Sequence, residues 1–196
     1  MSKIQIFFNE MKNKKVAFIG VGVTNTDLIK LFLKKGIRVT VLDRKDKEKM
    51  GKVYDELKEL GSDFRLGDSY LDSLEDFDVV FRAPGMYFNN PVLTKARKRG
   101  VCITSEMEVF FDLCPCKIYA VTGSDGKTTT TTIIAGLLEK AGKKVYKGGN
   151  IGKALLPLIE EINENDAAVV ELSSFQLISM RKSPDTAVIT NIAPNH

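Results

Sequence analysis

No stretch of this chain is apolar for long enough to cross a membrane, and its start lacks the hydrophobic segment of a signal peptide. A cytoplasmic setting with no membrane partner is the expectation. Cysteine is scarce. Cys102, Cys114 and Cys116 are odd in number, and Cys114-Pro115-Cys116 has neither the two-residue spacing nor the second pair of a zinc site. All three are expected as reduced cytosolic thiols, with Cys102 in a buried strand. A surplus of one charge is missing too. Lys+Arg number 29 against 25 Asp+Glu, and the net +4 is too mild and dispersed to argue for nucleic acid. The lysines over 12–15 and 45–49 flank strands or sit on helix faces, where they are solvated. No repeat or low-complexity segment occurs, and His196 is the single histidine.

What is present is an ordinary globular composition, 43% apolar and 28% charged over 196 residues, enough for one large domain or two small ones. Strand patterns alternate with amphipathic helices, which predicts an α/β fold with parallel sheets. Strands are expected over 15–19, 38–42, 63–66, 78–81 and 101–104. Helices are expected over 27–35, 48–60, 91–99 and 106–113, the first with Leu28, Leu31 and Phe32 on one face and Gly36 as its cap. Ala83-Pro84-Gly85 interrupts the pattern after the fourth strand. Cys114-Pro115-Cys116 reads as a linker, and strands resume at 117, 144–146, 167–172 and 186–190. The expectation is a Rossmann-like parallel-sheet N-terminal domain, 1–113, followed by part of a P-loop ATPase α/β domain, 114–196.

The segment Val121-Thr122-Gly123-Ser124-Asp125-Gly126-Lys127-Thr128-Thr129 follows an apolar strand and opens a helix-like run to Lys140. Backbone N–H groups of a Gly-rich turn and the positive end of a helix make an anion site. Lys127 would reach the outer phosphates of a nucleotide and the Thr128 hydroxyl would ligate Mg2+. The full P-loop pattern wants a further glycine where Val121 stands. The five threonines 128–132 are mediocre helix formers, and chemistry is assigned only to Thr128 and Thr129.

A second glycine turn, Gly20-Val21-Gly22-Val23-Thr24-Asn25, follows the first strand, and Asp43 ends the second strand at the spacing of a ribose-binding acid. Asn25 replaces the third glycine of a dinucleotide fingerprint. NAD binding, binding of another phosphate or diphosphate, and a plain strand-to-helix turn all stay open. Later, Gly148-Gly149-Asn150-Ile151-Gly152 reads as a Gly-rich turn. Glu171 ends an apolar strand before Leu172-Ser173-Ser174-Phe175-Gln176-Leu177. Thr190-Asn191-Ile192-Ala193-Pro194-Asn195-His196 ends another. Singly, Gly148-Gly149 reads equally as a plain hairpin-like turn, Glu171 as an N-cap or ion-pair partner and His196 as a disordered terminus. Together, beside the Gly123–Thr129 loop, they would surround a Mg-nucleotide with hard oxygen ligands and an imidazole.

Jointly these residues resemble the N-terminal part of a Mur ligase. The likeness is carried by Thr122 to Thr129, Ser105-Glu106-Met107-Glu108, Gly149-Asn150-Ile151-Gly152, Glu171 to Leu177 and Thr190 to His196. The Gly20-x-Gly22 turn and Asp43-Arg44 fit the D-glutamate-adding member better than its siblings. The resemblance spans essentially the whole chain.

It implies a cytoplasmic step of peptidoglycan precursor synthesis. ATP phosphorylates the carboxylate of UDP-N-acetylmuramoyl-L-alanine, and the D-glutamate amine attacks the resulting acyl phosphate to give an amide. By similarity the loop Gly123, Ser124, Asp125, Gly126, Lys127, Thr128 and Thr129 holds ATP phosphates, and Thr128 and Glu171 ligate Mg2+. His196 serves a second Mg2+, so Lys127, Glu171 and His196 form the catalytic set. Gly20, Gly22, Val23, Thr24, Asp43, Arg44 and Gly85 cradle the UDP moiety, with Asn150 and Ser173 among the contacts to the rest of the substrate. The family's carbamylated lysine, adenine pocket and amino-acid-binding domain are not in these 196 residues, so the chain alone is expected not to ligate. A monomer is expected. Two rivals remain at this point: a non-catalytic UDP-sugar-nucleotide binding module, and a P-loop kinase or NTPase fused to a dinucleotide-binding domain.

Overall fold

The computed structural model describes residues 1–193, and of Val23 the backbone alone. The role expected of His196 therefore lies outside the described residues. Two compact units divide the chain, Met1–Glu106 and Met107–His196. The division falls seven residues before the one read from the linker.

In the first unit, α1 (Lys3–Met11) opens on a capping box, Ser2 with Gln5, and buries Phe8 and Met11. β1 (Val16–Ile19) is buried at every position, as a central parallel strand must be. α2 (Val23–Lys34) begins four residues earlier than expected, because extended Gly22 already serves as its N-cap. β2 (Val39–Asp43) follows. The single helix expected over 48–60 is two, α3 (Lys47–Met50) and α4 (Lys52–Glu59). Gly51 parts them at φ +56°, ψ −135°, a conformation that ends the hydrogen-bond ladder and that residues with a Cβ avoid. Then come β3 (Asp63–Leu66), β4 (Val79–Phe81), α5 (Pro91–Lys98) and β5 (Cys102–Thr104).

All pairings are parallel, in the order β3-β2-β1-β4-β5. This is the doubly wound arrangement, whose chain reverses direction between β1 and β4. Phe18 and Phe81 stack at 4.5 Å between ring centres on these neighbouring strands, and Phe32 of α2 meets both edge-on at 5.2 and 5.3 Å. Aromatic pairs contribute about 0.5–1.5 kcal/mol each beyond their burial, so this cluster fixes α2 over the two strands at the switch point. Cys102 corrects the expectation of a buried thiol: β5 is an edge strand and Cys102 is exposed.

The second unit holds α6 (Glu106–Leu113) from its second residue on. It continues with β6 (Lys117–Thr122), α7 (Lys127–Lys140), β7 (Val145–Gly149), β8 (Ala167–Glu171), α8 (Ser174–Leu177) and β9 (Thr186–Ile189). Its sheet is again wholly parallel, ordered β7-β8-β6-β9, with α7 packed against β6, β7 and β8. Gly148 and Gly149 lie inside β7 and not in a turn as expected. A Cβ on Gly149 would stand 2.2 Å from the Glu171 carbonyl oxygen, so only glycine lets β7 close on β8 there. Among the described residues no helix is long and apolar enough to cross a membrane.

Candidate functional site

Each unit carries a candidate site at the C-terminal ends of its strands, where parallel α/β sheets gather ligands. In the second unit the register sets Val121 of β6 beside Glu171 of β8, and Gly149 of β7 on the other side of Glu171. Three chain segments therefore converge on one carboxylate. Glu171 is 2% exposed. Its Oε2 accepts the Thr128 hydroxyl at 2.7 Å and its Oε1 accepts the Asn150 side-chain amide at 3.0 Å. The Asn150 backbone N–H donates to the Glu171 carbonyl at 2.7 Å. Both side-chain donors are neutral, while a buried carboxylate is stabilised most by a positive charge. A hydroxyl, a carboxylate and a neighbouring amide oxygen are hard donors of the kind Mg2+ takes, so the residues present fit that ion.

Above this group runs the glycine loop. Gly126 takes the left-handed conformation, φ +75°, as N-cap of α7 and offers no side-chain cap. The first N–H groups of α7 have no partner within the helix, which suits an anion. Lys127 folds back, its Nζ donating to the carbonyls of Gly123 and Ser124 at 2.8 Å each. Two carbonyls thus hold the ammonium over the loop mouth. Thr129 is exposed on the first turn of α7.

The loop is braced from β9 by residues to which sequence reasoning gave no such part. Thr190 Oγ1 donates to the Asp125 carbonyl at 2.6 Å, and Asn191 Oδ1 accepts the Asp125 N–H at 2.8 Å. Ser124 Oγ donates to the Ala193 carbonyl and accepts the Ala193 N–H, both at 2.9 Å. Gly123 makes this possible: at φ +135°, a Cβ would lie 2.1 Å from Thr190 Oγ1. The Ser124 and Asp125 N–H groups are consequently committed to Asn191, which leaves the α7 end of the loop as the part that could receive an anion. Ser173, expected near substrate, is the N-cap of α8 in a capping box with Gln176.

In the first unit the Gly20 turn and the Ala83-Pro84-Gly85 segment leave β1 and β4 at the switch point. Gly20 has φ +83°, and a Cβ there would touch that of Ala83 at 3.6 Å. Gly22 has open space around it. Asn25, standing for the third glycine, is buried and donates to the carbonyls of Ile19 and Gly20 at 2.9 and 3.0 Å, pinning the turn. Asp43 is also buried, and its two oxygens accept the N–H groups of Val21 and Lys45 at 3.0 and 2.8 Å. It shapes the turn from the far side. Thr24 is half-buried on the first turn of α2, and Val23 begins that helix, with its side chain outside what is described. Arg44 is largely exposed, loosely paired with Asp68 at 4.0 Å. Arg82, fully buried, donates to the Met86 carbonyl at 3.0 Å and holds the turn that carries Gly85. A charged residue at the end of an apolar strand was the signal for it.

A family model described as Mur ligase MurD-like, N-terminal domain matches residues 14–105, and one described as Mur ligase middle domain matches residues 121–196. The chain is 49% identical over 195 residues to UDP-N-acetylmuramoylalanine–D-glutamate ligase of Acetivibrio thermocellus, covering 100% of this chain and 42% of that protein. It is 50% identical over 186 residues to the ligase of the same name from Clostridium kluyveri, covering 95% of this chain and 41% of that one. The chain thus spans less than half the length of these curated relatives. Among solved structures, UDP-N-acetylmuramate-alanine ligase MurC from Thermotoga maritima superposes with a TM-score of 0.51 at 24% identity, over 93% of this chain and 42% of that one. At that identity the likeness speaks for the fold.

Proposed function

Because this chain belongs to the Mur ligase family, we propose that it supplies the UDP-substrate unit and the phosphate-binding part of an ATP-dependent ligase. That ligase would join D-glutamate to UDP-N-acetylmuramoyl-L-alanine. The domains would be 1–113 and 114–196, and the names of relatives near 50% identity support the substrate pair.

The carrying observation is the Glu171 carboxylate, buried under the phosphate loop and shared by Thr128 and Asn150. In this reading Thr128 and Glu171 would hold Mg2+. When bound, the ion neutralises phosphate charge and aligns the outer phosphates. The chain's own part is positioning. The free N–H groups at the start of α7 receive the phosphates. Lys127 leaves its two carbonyls to follow the transferred phosphoryl group as its charge shifts toward the leaving oxygen. The substrate carboxylate takes that group as an acyl phosphate. The amine of D-glutamate then attacks the acyl carbon, and phosphate departs as the amide forms. In the first unit, the Gly20–Gly22 turn and the N-terminus of α2 would receive the diphosphate, and the exposed Arg44 would pair with it.

The test is Glu171→Gln, which keeps the side-chain size and a hydrogen bond to Thr128 but removes the charge. In the whole enzyme, ATP-dependent amide formation from UDP-N-acetylmuramoyl-L-alanine and D-glutamate should fall by about 100-fold or more. UDP-substrate affinity, measured by calorimetry on this chain, should stay within about twofold. ATP turnover that needs neither substrate, or NAD binding to the first unit, would favour the fused NTPase instead.

A further inference from the structure

Cys114 and Cys116 lie outside both candidate sites, between the end of α6 and the start of β6. Their sulfurs are 3.5 Å apart. Cys114 is half-buried and Cys116 only 6% exposed. Both line an open groove of about 410 Å³ shared with Lys182 and Asp185. Lys182 is anchored there by the Phe111 carbonyl at 2.6 Å, and Asp185 by the Ile118 N–H at 2.8 Å. The groove is therefore lined by a half-buried cysteine, a buried one whose sulfur lies 3.5 Å from the first, and an anchored ammonium.

A linear soft-metal bridge would need sulfurs about 4.6 Å apart, twice a metal–sulfur bond of ~2.3 Å. The described residues also contain no cluster of three metal-ligating side chains. Disulfide closure needs the sulfurs only to approach to about 2.05 Å, a move that side-chain rotation can share. We propose that Cys114 and Cys116 form a dithiol modification site whose co-reactant is a low-molecular-weight disulfide.

The two sulfurs have unequal parts. The hydrogen bond shared with the Cys116 sulfur holds the Cys114 thiol below its ordinary range, with the Lys182 ammonium adding to it, while burial and Asp185 oppose. The same bond, with burial, pushes Cys116 well above that range. Cys114 is the attacking thiolate. It displaces one thiolate from the small disulfide and becomes a mixed disulfide. Cys116 then gives up its proton to the released thiolate and attacks the Cys114 sulfur, expelling the second thiolate. Two protein thiols are oxidised, and one small disulfide is reduced to two thiols. In a reducing compartment such a pair is transient and responds to the thiol pool.

The experiment incubates the reduced chain with oxidised glutathione, quenches in acid, blocks free thiols with N-ethylmaleimide and maps peptides by mass spectrometry. The peptide bearing both cysteines should lose both blockable thiols and two hydrogens, retaining no glutathione. It should do so about tenfold faster than exposed Cys102 is modified. Cys116→Ser should accumulate glutathione on Cys114, and Cys114→Ser should leave Cys116 blockable. Unaltered protein that keeps glutathione on Cys114, or that reacts at Cys102 while the pair stays reduced, would overturn the proposal without relying on either variant's folding. The outcome is independent of the ligase reading.

Discussion

At Gly149 the chain has φ +98°, and an added methyl would collide with the Glu171 carbonyl, the acceptor of the Asn150 N–H. Gly149→Ala should therefore force β7 off β8 and cost about 2 kcal/mol or more, read as a lowered urea midpoint. A loss below about 0.5 kcal/mol would mean that the strand ends yield freely. Asn191 offers a subtler test. Removing its Oδ1 leaves the Asp125 N–H without its 2.8 Å acceptor, and Asn191→Ala should weaken Mg-ATP binding by about five- to tenfold, roughly the loss of one hydrogen bond. Lys127→Ala acts on chemistry instead. It should slow amide formation in the whole enzyme by about 100-fold or more while UDP-substrate affinity holds. Arg44→Ala should do the reverse, weakening UDP-substrate binding by about 1–3 kcal/mol in a calorimetric titration, as loss of a charge-assisted bond does. Unchanged affinity would move the diphosphate elsewhere.

Between α3 and α4, Gly51 sits at a backbone conformation that a Cβ disfavours, with nothing within 4 Å to clash. Gly51→Ala should thus cost about 1–2 kcal/mol through the backbone alone, measured by thermal or urea unfolding. The break was not legible because the helical pattern over 48–60 runs through it, and a lone glycine in such a pattern is compatible with a continuous helix. The strands were readable for the opposite reason: Val16 to Ile19 and Ala167 to Val170 are short apolar runs that only a sheet buried on both faces accommodates. The glycine loop between β6 and α7 is legible because its glycines, lysine and threonine are adjacent in sequence. α1 went unread although Ser2 and Gln5 carry the capping-box signature. The brace of the loop had no local signature at all, since Thr190 and Asn191 meet Asp125 across more than sixty positions. The exposure of Cys102 is not legible in the sequence because burial in a strand depends on neighbours: among the described residues β5 has β4 on one side and no strand on the other.

Over the whole molecule, two parallel sheets each close their own core, and the matched family models leave residues 106–120 between them. If the units are separate folding entities, residues 1–106 expressed alone should unfold cooperatively. They should also bind the UDP moiety measurably in a calorimetric titration. A piece that needs α6 to fold would favour the boundary after Leu113. The order of the second sheet carries a consequence for biosynthesis. Its glycine loop leaves the ribosome well before β9, because Asp125 and Thr190 are 65 positions apart. At about 5–20 residues per second, roughly 3–13 s of translation separate the two. During that interval the loop lacks the brace of Thr190 and Asn191, and β6 has no neighbour on either side until β8 emerges and none on its β9 side until the end. A chaperone that guards emerging strand edges would have its window there.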